Sequence, residues 1–218
     1  PKAWRWVVEQ SVMLQLLTSF RSAPIKCKAD RSRPFFIVGS GRSGNTLLRR
    51  LICEHCGLHV PPESYVLGKA VQLFRTHRYL PWDQLVAFVA ATFEYYPEFE
   101  HFGCSLRAPV NELQKLPANE RSLARIIDSF YRYHAEVLGK GGARWGDKTP
   151  LNVFHLPKII NVFPNAQFIH ILRDGVDVAA SYVAAGFYGN YRDAGRRWVR
   201  SVSRVRGFMA RYPSQCIE

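Results

Sequence analysis

The sequence of 218 residues contains no run of about 18 apolar residues, the length that a membrane-spanning helix needs. It also contains no repeats and no low-complexity tract. Acidic residues are scarce, because 17 Asp and Glu stand against 30 Lys and Arg, and the formal net charge is +13. Since 47% of the residues are hydrophobic, the composition excludes a disordered chain and predicts a globular protein. The positive net charge predicts a polyanionic partner.

Cysteine occurs five times, an odd number that does not indicate a full disulfide framework. Cys53 and Cys56 have the spacing of a metal or redox pair. A zinc site would need a second pair of ligands, and none is evident. The two cysteines lie in a segment of helical periodicity, where cysteine packs as a small apolar residue. We therefore expect no metal site in this protein.

The sequence at the two ends of the chain predicts where the main domain begins and how it ends. Residues 3–19 have the pattern of an amphipathic helix, and the polar segment after them is flanked by prolines. We therefore expect an N-terminal helix and linker over residues 1–33 and one domain over residues 34–218. The last residues are typical of a turn into a new strand, so we expect the C-terminal part of the domain to be truncated. We expect a cytoplasmic location, although an upstream anchor and membrane association remain open.

Short apolar segments alternate with segments of helical periodicity. Strands are predicted at residues 35–38, 144–146 and 167–172, with a further one around 59–60, and helices at 46–56, 176–184 and 191–209. Thr149-Pro150 is predicted to begin another helix, with Thr149 as its cap. Residues 65–140 are mostly helical in pattern and are interpreted as an insertion. The predicted fold is therefore α/β and P-loop-like, with three layers, a central parallel sheet and a helical insertion.

Polar clusters follow three of the predicted strands, at residues 39–46, 146–149 and 173–175. Ligands of parallel sheets bind beyond the carboxyl ends of the strands. These three clusters therefore predict an active site at one edge of the sheet.

The first cluster, residues 39–46, reads GSGRSGNT between a strand and a helix. Its glycines let backbone N–H groups converge on an anion, and the helix N-terminus adds its dipole. The lysine of a nucleoside triphosphatase loop is replaced by Asn45, and Arg42 supplies the positive charge instead.

The third cluster begins with Arg173-Asp174, where a nucleoside triphosphatase needs an aspartate to hold magnesium. Arg173 is suited to an anion rather than a cation, and Asp174 is predicted to cap the next helix. Ser181, eight residues after Arg173, could share one phosphate with it. The alternatives are a salt bridge of Arg173 to a neighbouring helix and a packing role for Ser181.

Three segments in this order resemble the sulfotransferases that use 3′-phosphoadenosine 5′-phosphosulfate (PAPS). They are residues 39–46, residues 145–150 (WGDKTP) and residues 173–181 (RDGVDVAAS). The resemblance covers about residues 34–218, and the branch it fits is that of bacterial sulfotransferases similar to protein-tyrosine sulfotransferases. It implies transfer of a sulfuryl group from PAPS to a hydroxyl or amine, with 3′,5′-ADP as the other product and no metal.

The resemblance also implies a role for each matching residue. The residues expected to hold the 5′-phosphosulfate are Arg42, Ser43, Gly44, Asn45 and Thr46. Arg173 and Ser181 are expected to hold the 3′-phosphate. Glu63 is the candidate base, while Lys148 and Arg42 are expected to stabilise the charge that develops during transfer. His59 and His55 are the competing bases, since other sulfotransferases use histidine.

The sequence departs from the tyrosylprotein branch at several positions. Val60 and Gly146 stand where that branch has two cysteines, which removes a disulfide. The arginine that the branch carries shortly after its serine has no counterpart in residues 183–186. The segment that completes the nucleotide pocket at the C-terminus is also expected to be missing.

Two other functions compete with sulfuryl transfer. A P-loop nucleotide kinase or nucleoside triphosphatase is disfavoured by Asn45 and Arg173. A basic nucleic-acid-binding module is disfavoured because residues 192–211 contain only Trp198 and Phe208 as stacking aromatics, so we expect no nucleic-acid partner. The acceptor remains open among a carbohydrate, a lipid, a phenol and a peptide, and so does the oligomeric state.

Overall fold

The structure, a computed structural model, describes residues 23–26 and 32–218. The helix predicted at residues 3–19 lies outside the described residues, so it stays a prediction. Within the described part, no helix is both long enough and apolar enough to cross a bilayer.

The centre of the fold is a parallel sheet. Its described strands are β1 (Phe35–Gly39), β2 (Gly146–Asp147), β3 (Gln167–Ile171) and β4 (Cys216–Ile217). Their order across the sheet is β2-β1-β3-β4, and every pair is parallel. All five residues of β1 are buried, as expected for a central strand that is covered on both faces.

Helices cover the sheet. They are α1 (Asn45–His55), α2 (Leu67–Thr76), α3 (Trp82–Glu94), α4 (Arg107–Gln114), α5 (Leu123–Val137), α6 (Leu156–Val162), α7 (Gly175–Ala184) and α8 (Tyr191–Arg211). Short 3-10 helices lie at Pro97–Phe102, Ala118–Glu120, Pro150–Phe154 and Pro213–Gln215. Helices α2 to α5 occupy the predicted insertion at residues 65–140. The predicted fold class, a parallel sheet flanked by helices with a helical insertion, is confirmed.

The helix predicted from Thr149-Pro150 is wrong in its form. Pro150–Phe154 is a 3-10 helix, and α6 begins only at Leu156. Pro157 has no N–H and its ring would clash with the preceding turn, so an α-helix cannot continue through it. Thr149 is the N-cap residue of this 3-10 helix, but its side chain makes no capping hydrogen bond, and its Oγ1 instead accepts one from the N–H of Ser64 at 3.2 Å.

The predicted strand at residues 144–146 is shifted towards the C-terminus, and the one predicted around 59–60 is reduced in extent. The former lies at Gly146–Asp147, and the latter is a single bridge between His59 and Trp145. A Cβ on Gly146 would lie 2.5 Å from the ring of Phe35, so glycine is needed for this ring to pack across the strands. Phe35 belongs to a small buried cluster with Val60.

A buried histidine pair joins the strand-like segment at His59 to α5. His134 Nε2 lies 3.1 Å from the carbonyl oxygen of Phe102, which can only accept a hydrogen bond. Neutral His134 therefore carries its proton on Nε2, and its Nδ1 accepts a hydrogen bond from His59 Nε2 at 2.8 Å. Burial, followed by the charges of His134 and Lys140, lowers the pKa of His59 to about 4.

This pair predicts a loss of stability in mild acid. Unfolded His59 takes up a proton near its ordinary pKa of about 6.5 whereas the folded residue does not, so the free energy of unfolding falls as the pH falls through that window. We expect His59 to account for about 2 kcal/mol of the loss between pH 7.5 and pH 5. Urea unfolding at several pH values measures it. His59→Asn should flatten the profile and the exposed control His101→Gln should not, whereas equal profiles in both would contradict this assignment.

Candidate active site

The loop after β1 is shaped to hold an anion. Arg42 and Gly44 both have left-handed backbone conformations, with φ angles of 67° and 97°. Gly44 is the N-cap of α1, and as a glycine it has no side chain that could cap that helix. The first N–H groups of α1 therefore receive no hydrogen bond from their N-cap residue, and an anion in the loop can accept from them, as in phosphate-binding loops.

Asn45, the residue in place of the usual lysine, closes this loop. Its Nδ2 donates a hydrogen bond to the carbonyl oxygen of Ser40 at 3.0 Å. The Oγ of Ser43 is buried and has no hydrogen-bond partner among the described residues. A buried hydroxyl without a partner costs about 1–3 kcal/mol, and an anion in the loop would supply an acceptor for it. The loop therefore fits a phosphate or sulfate group.

A cavity of about 720 Å³ opens beside the loop at the carboxyl edge of the sheet. It brings together most of the site residues predicted from sequence, namely Arg42, Gly44, Asn45, Thr46, Glu63, Lys148, Arg173 and Ser181. Ser43 does not line the cavity, because its side chain is buried within the loop. The remaining wall is largely aromatic and comes from Tyr65, Tyr182, Phe187 and Tyr188, with Arg197 of α8 beside them.

The cations of the cavity contact their own neighbours. Arg42 Nε donates a hydrogen bond to Ser181 Oγ at 3.0 Å, so Ser181 is not merely a packing residue. Arg173 forms the alternative salt bridge, with a distance of 3.3 Å between its Nη2 and Asp177 Oδ2. Both side chains of that pair are about half exposed, and such pairs contribute little to stability. An anion with several oxygens could therefore displace Asp177 from Arg173.

Lys148 connects the loop to Glu63. Its side chain is 5% exposed, and its Nζ donates a hydrogen bond to Thr46 Oγ1 at 3.2 Å. It also forms an ion pair with the Glu63 carboxylate. The neighbouring carboxylate, Asp147, is not the ion-pair partner of Lys148 in the structure.

Asp147 instead anchors the end of β2 in the interior. Its Oδ2 accepts hydrogen bonds from Tyr131 at 2.6 Å and Ser64 at 3.2 Å, and its Oδ1 accepts one from Asn152 at 2.7 Å. Burial raises the pKa of Asp147, while the hydrogen bonds from Tyr131, Thr149 and Ser64 act in the opposite direction. The network ties Ser64, the neighbour of Glu63, to Asp147, the neighbour of Lys148. It therefore holds the two residues of the ion pair next to each other.

Tyr65 is a site residue that the sequence analysis missed. Its hydroxyl donates a hydrogen bond to the Glu63 carboxylate, and its φ angle of 55° turns the chain back so that it can do so. Its ring stacks on Tyr96, with 5.9 Å between the centroids. Burial, followed by the hydrogen bond to Glu63, raises the pKa of Tyr65. A left-handed tyrosine has no signature in a single sequence, so no pattern could have identified it.

The competing bases lie away from the cavity. His59 is buried and bonded to His134, and it does not line the cavity. His55 is exposed at the last turn of α1, about 15 Å of helical rise from the loop. Among the described residues that line the cavity, Glu63 is the one carboxylate. Its ion-pair partner Lys148 contacts Thr46 of the loop.

Comparison with known proteins identifies the family. A family model described as "Sulfotransferase family" matches residues 34–218, and the chain belongs to that family. This confirms the resemblance drawn from the three segments.

Curated relatives match the same part of the chain. An uncharacterised protein of Aquifex aeolicus is 26% identical over 171 residues. A protein-tyrosine sulfotransferase of Drosophila melanogaster is 24% identical over 178 residues. Each match includes 77% of this chain but only 19% and 30% of the respective relative, so the chain spans less than a third of the length of either.

Solved structures agree with the fold. The sulfotransferase domain from the curacin biosynthetic pathway superposes with a TM-score of 0.53 at 19% identity, covering 87% of this chain and 67% of that one. The sulfotransferase domain of the Synechococcus PCC 7002 olefin synthase superposes with a TM-score of 0.51 at 26% identity, covering 84% and 64%. The α/β, P-loop-like fold is therefore that of sulfotransferase domains.

Proposed function

We propose that this protein transfers the sulfuryl group of PAPS to a hydroxyl or amine of an acceptor, with Glu63 as the base. The observation that carries the proposal is the position of Lys148. Its ammonium group contacts the phosphate loop through Thr46 and the candidate base Glu63 at the same time. A cation for the leaving group and a base for the acceptor thus meet at the mouth of an anion-binding loop.

The cavity offers separate contacts for the two anionic ends of the donor. In this proposal the N–H groups at the start of α1, together with Arg42 and Thr46, hold the 5′-phosphosulfate. Arg173 and Ser181, which both contact Arg42, hold the 3′-phosphate in this proposal. Arg173 Nη1 donates a hydrogen bond to the carbonyl oxygen of Arg42 at 3.4 Å, and this contact keeps the two anion-binding regions next to each other.

PAPS supplies the sulfuryl group and leaves as 3′,5′-ADP when the bond between sulfur and the bridging oxygen breaks. Glu63 accepts the proton of the acceptor as the new bond to sulfur forms. Lys148 neutralises the negative charge that the departing phosphate gains, and Arg42 stabilises the charge on the loop side. Tyr65 donates to the Glu63 carboxylate and so fixes the direction in which this base faces. Catalysis by these residues is mostly positioning and electrostatics, as in phosphoryl transfer.

Transfer of labelled sulfate from PAPS to a panel of phenols, sugars, lipids and peptides tests this proposal directly. A thermal shift with 3′,5′-ADP, but not with ATP and magnesium or with single-stranded DNA, is expected. A larger shift with ATP and magnesium would favour a nucleotide kinase or nucleoside triphosphatase instead, and a larger one with DNA would favour the nucleic-acid module.

Loss of Arg173 should weaken donor binding strongly. Arg173→Ala removes a charge-assisted, bidentate contact to the 3′-phosphate, which should cost about 2–4 kcal/mol in the binding of 3′,5′-ADP without magnesium. Calorimetry measures this value. Asp177→Ala is the matched control, because it breaks the same salt bridge but leaves the guanidinium in place, so affinity should be kept or improved. Wild-type affinity in Arg173→Ala would overturn the assignment of the 3′-phosphate site.

A further inference from the structure

Basic side chains follow the seam between α8 and residues 150–162, and we call this seam the basic groove. One wall is α8, on which Arg197, Arg200, Arg204 and Arg211 lie within about 60° of arc at 3.6 residues per turn. The facing wall is the 3-10 helix Pro150–Phe154 followed by α6. The guanidinium groups of Arg197 and Arg200 lie over the ring of Phe154, at 4.4 and 5.0 Å from its centroid, which joins the two walls.

Residues of the basic groove line two cavities. Leu151 and Arg197 belong to the active-site cavity, at the carboxyl edge of the sheet. At the other end, Lys158 and Arg211 line a second cavity of about 540 Å³, beside the residues that precede β3. Two further cations, Lys26 and Arg75, line that cavity as well.

The groove carries charge of one sign. Residues 150–163 and 194–211, which form its walls, contain no Asp or Glu. Among the described residues, no carboxylate forms an ion pair with any of its cations, which are Lys26, Arg75, Lys158, Arg197, Arg200, Arg204 and Arg211. By contrast, Arg196 and Arg206 on the same helix are paired with Asp193 and Glu218. Clustered cations without counter-charges repel one another and attract a polyanion.

The length of the groove selects a chain rather than a small ion. Arg197 and Arg211 are separated by about 21 Å along α8, given a rise of 1.5 Å per residue. A single phosphate or a free nucleotide would contact only one part of this surface. A linear polyanion would contact the whole groove while one of its units reached the cavity.

The walls of the groove favour an acidic glycan over a peptide or a nucleic acid. Both walls are helical, so their backbone groups are paired internally and offer no strand edge to an extended peptide. The ring of Phe154 is covered by two guanidinium groups and gives no free platform for stacking a base. Arginine side chains, by contrast, bind carboxylate and sulfate groups in a bidentate manner without needing backbone contacts.

We propose that the basic groove binds an acidic polysaccharide and that this polysaccharide is the acceptor, one of whose hydroxyl groups reaches Glu63. The acceptor role rests on the proposed function, whereas binding in the groove does not.

The test compares a double charge reversal within the groove with a single charge reversal outside it, both on α8. Binding of oligogalacturonate, which has a carboxylate on each sugar, is measured by calorimetry at low and at physiological salt, with uncharged dextran as the negative probe. Arg204→Glu combined with Arg211→Glu should weaken binding at least about tenfold and reduce its salt dependence. Arg192→Glu is the control, because Arg192 is exposed on α8 about 110° of arc from the centre of the arginine stripe. Its affinity should stay within about twofold of wild type.

Several results would overturn the groove assignment. The first is that wild type does not bind oligogalacturonate, and the second is that the double reversal and the control bind it with equal affinity. The third is that wild type binds poly-L-glutamate or single-stranded DNA as tightly as oligogalacturonate. If the double reversal does not fold, as judged by circular dichroism, Arg204→Gln with Arg211→Gln replaces it and a threefold or larger loss is expected. The binding of 3′,5′-ADP, measured on the same proteins, separates the two proposals. If wild type does not bind 3′,5′-ADP, the donor assignment is wrong, but the proposal that the groove binds an acidic polysaccharide still stands.

Discussion

Glu63→Gln is expected to lower turnover by about 10²- to 10⁴-fold, the usual size of general-base catalysis. Glutamine keeps the shape of the side chain and can still accept the hydrogen bond from Tyr65, but it cannot take up the proton of the acceptor. Donor affinity should change little, because Glu63 faces Lys148 rather than the loop backbone. Initial rates at saturating PAPS, together with calorimetry of 3′,5′-ADP, measure the two quantities separately.

His59→Asn is the matched control for this prediction. His59 is buried against His134 and lies outside the cavity, so its replacement should lower stability much more than it lowers turnover. The reverse pattern, an inactive histidine variant and an active Glu63→Gln, would move the base to His59. PAPS would still be the expected donor in that case.

Lys148→Ala is expected to lower turnover by about 10²- to 10³-fold, comparable to the loss of one oxyanion donor. The ammonium group of Lys148 is almost fully buried, and interactions with a charge that develops there are screened less by solvent. The folded state should persist, because the network around Asp147 holds the end of β2 without Lys148. Circular dichroism and initial rates check both points, with the exposed Lys140→Ala as control.

A double variant distinguishes two roles for Lys148. If Lys148 neutralises the leaving group, combining Lys148→Ala with Glu63→Gln should lower turnover well below either single change. If Lys148 serves only to hold Glu63 in place, the double variant should be no slower than Glu63→Gln alone. Near-normal turnover in Lys148→Ala would reduce its role to that of a structural ion pair.

Local patterns in the sequence predicted the central part of the fold. The predicted strands at residues 35–38 and 167–172 match β1 and β3, because each is a short apolar run with a clear stop. The predicted cap of α7 is confirmed, since Asp174 Oδ1 accepts hydrogen bonds from the N–H groups of Val176 and Asp177 at 2.8 and 3.1 Å. Capping depends on neighbours in sequence, so one chain is enough to reveal it.

Contacts between distant segments could not be predicted in this way. Ser64 and Asp147 are 83 residues apart, and Glu63 and Lys148 are 85 apart. Periodicity places such residues at strand ends but does not say which donor meets which carboxylate. Thr149 illustrates this, because the sequence gives it the features of a helix cap and the tertiary structure uses it as an acceptor for Ser64. Most residues of the candidate site were therefore predictable, but Tyr65 and the network that joins the residues were not.

The packing of Phe35 against Gly146 has a consequence for redox behaviour. The resemblance to the tyrosylprotein branch implies two cysteines at the positions of Val60 and Gly146, where a disulfide would join the segments that carry Glu63 and Lys148. Here the two segments are joined by an aromatic ring, a buried valine and the hydrogen bonds of Asp147. None of these contacts can be cleaved by a thiol. The spacing between the candidate base and the leaving-group lysine should therefore be the same under reducing and oxidising conditions.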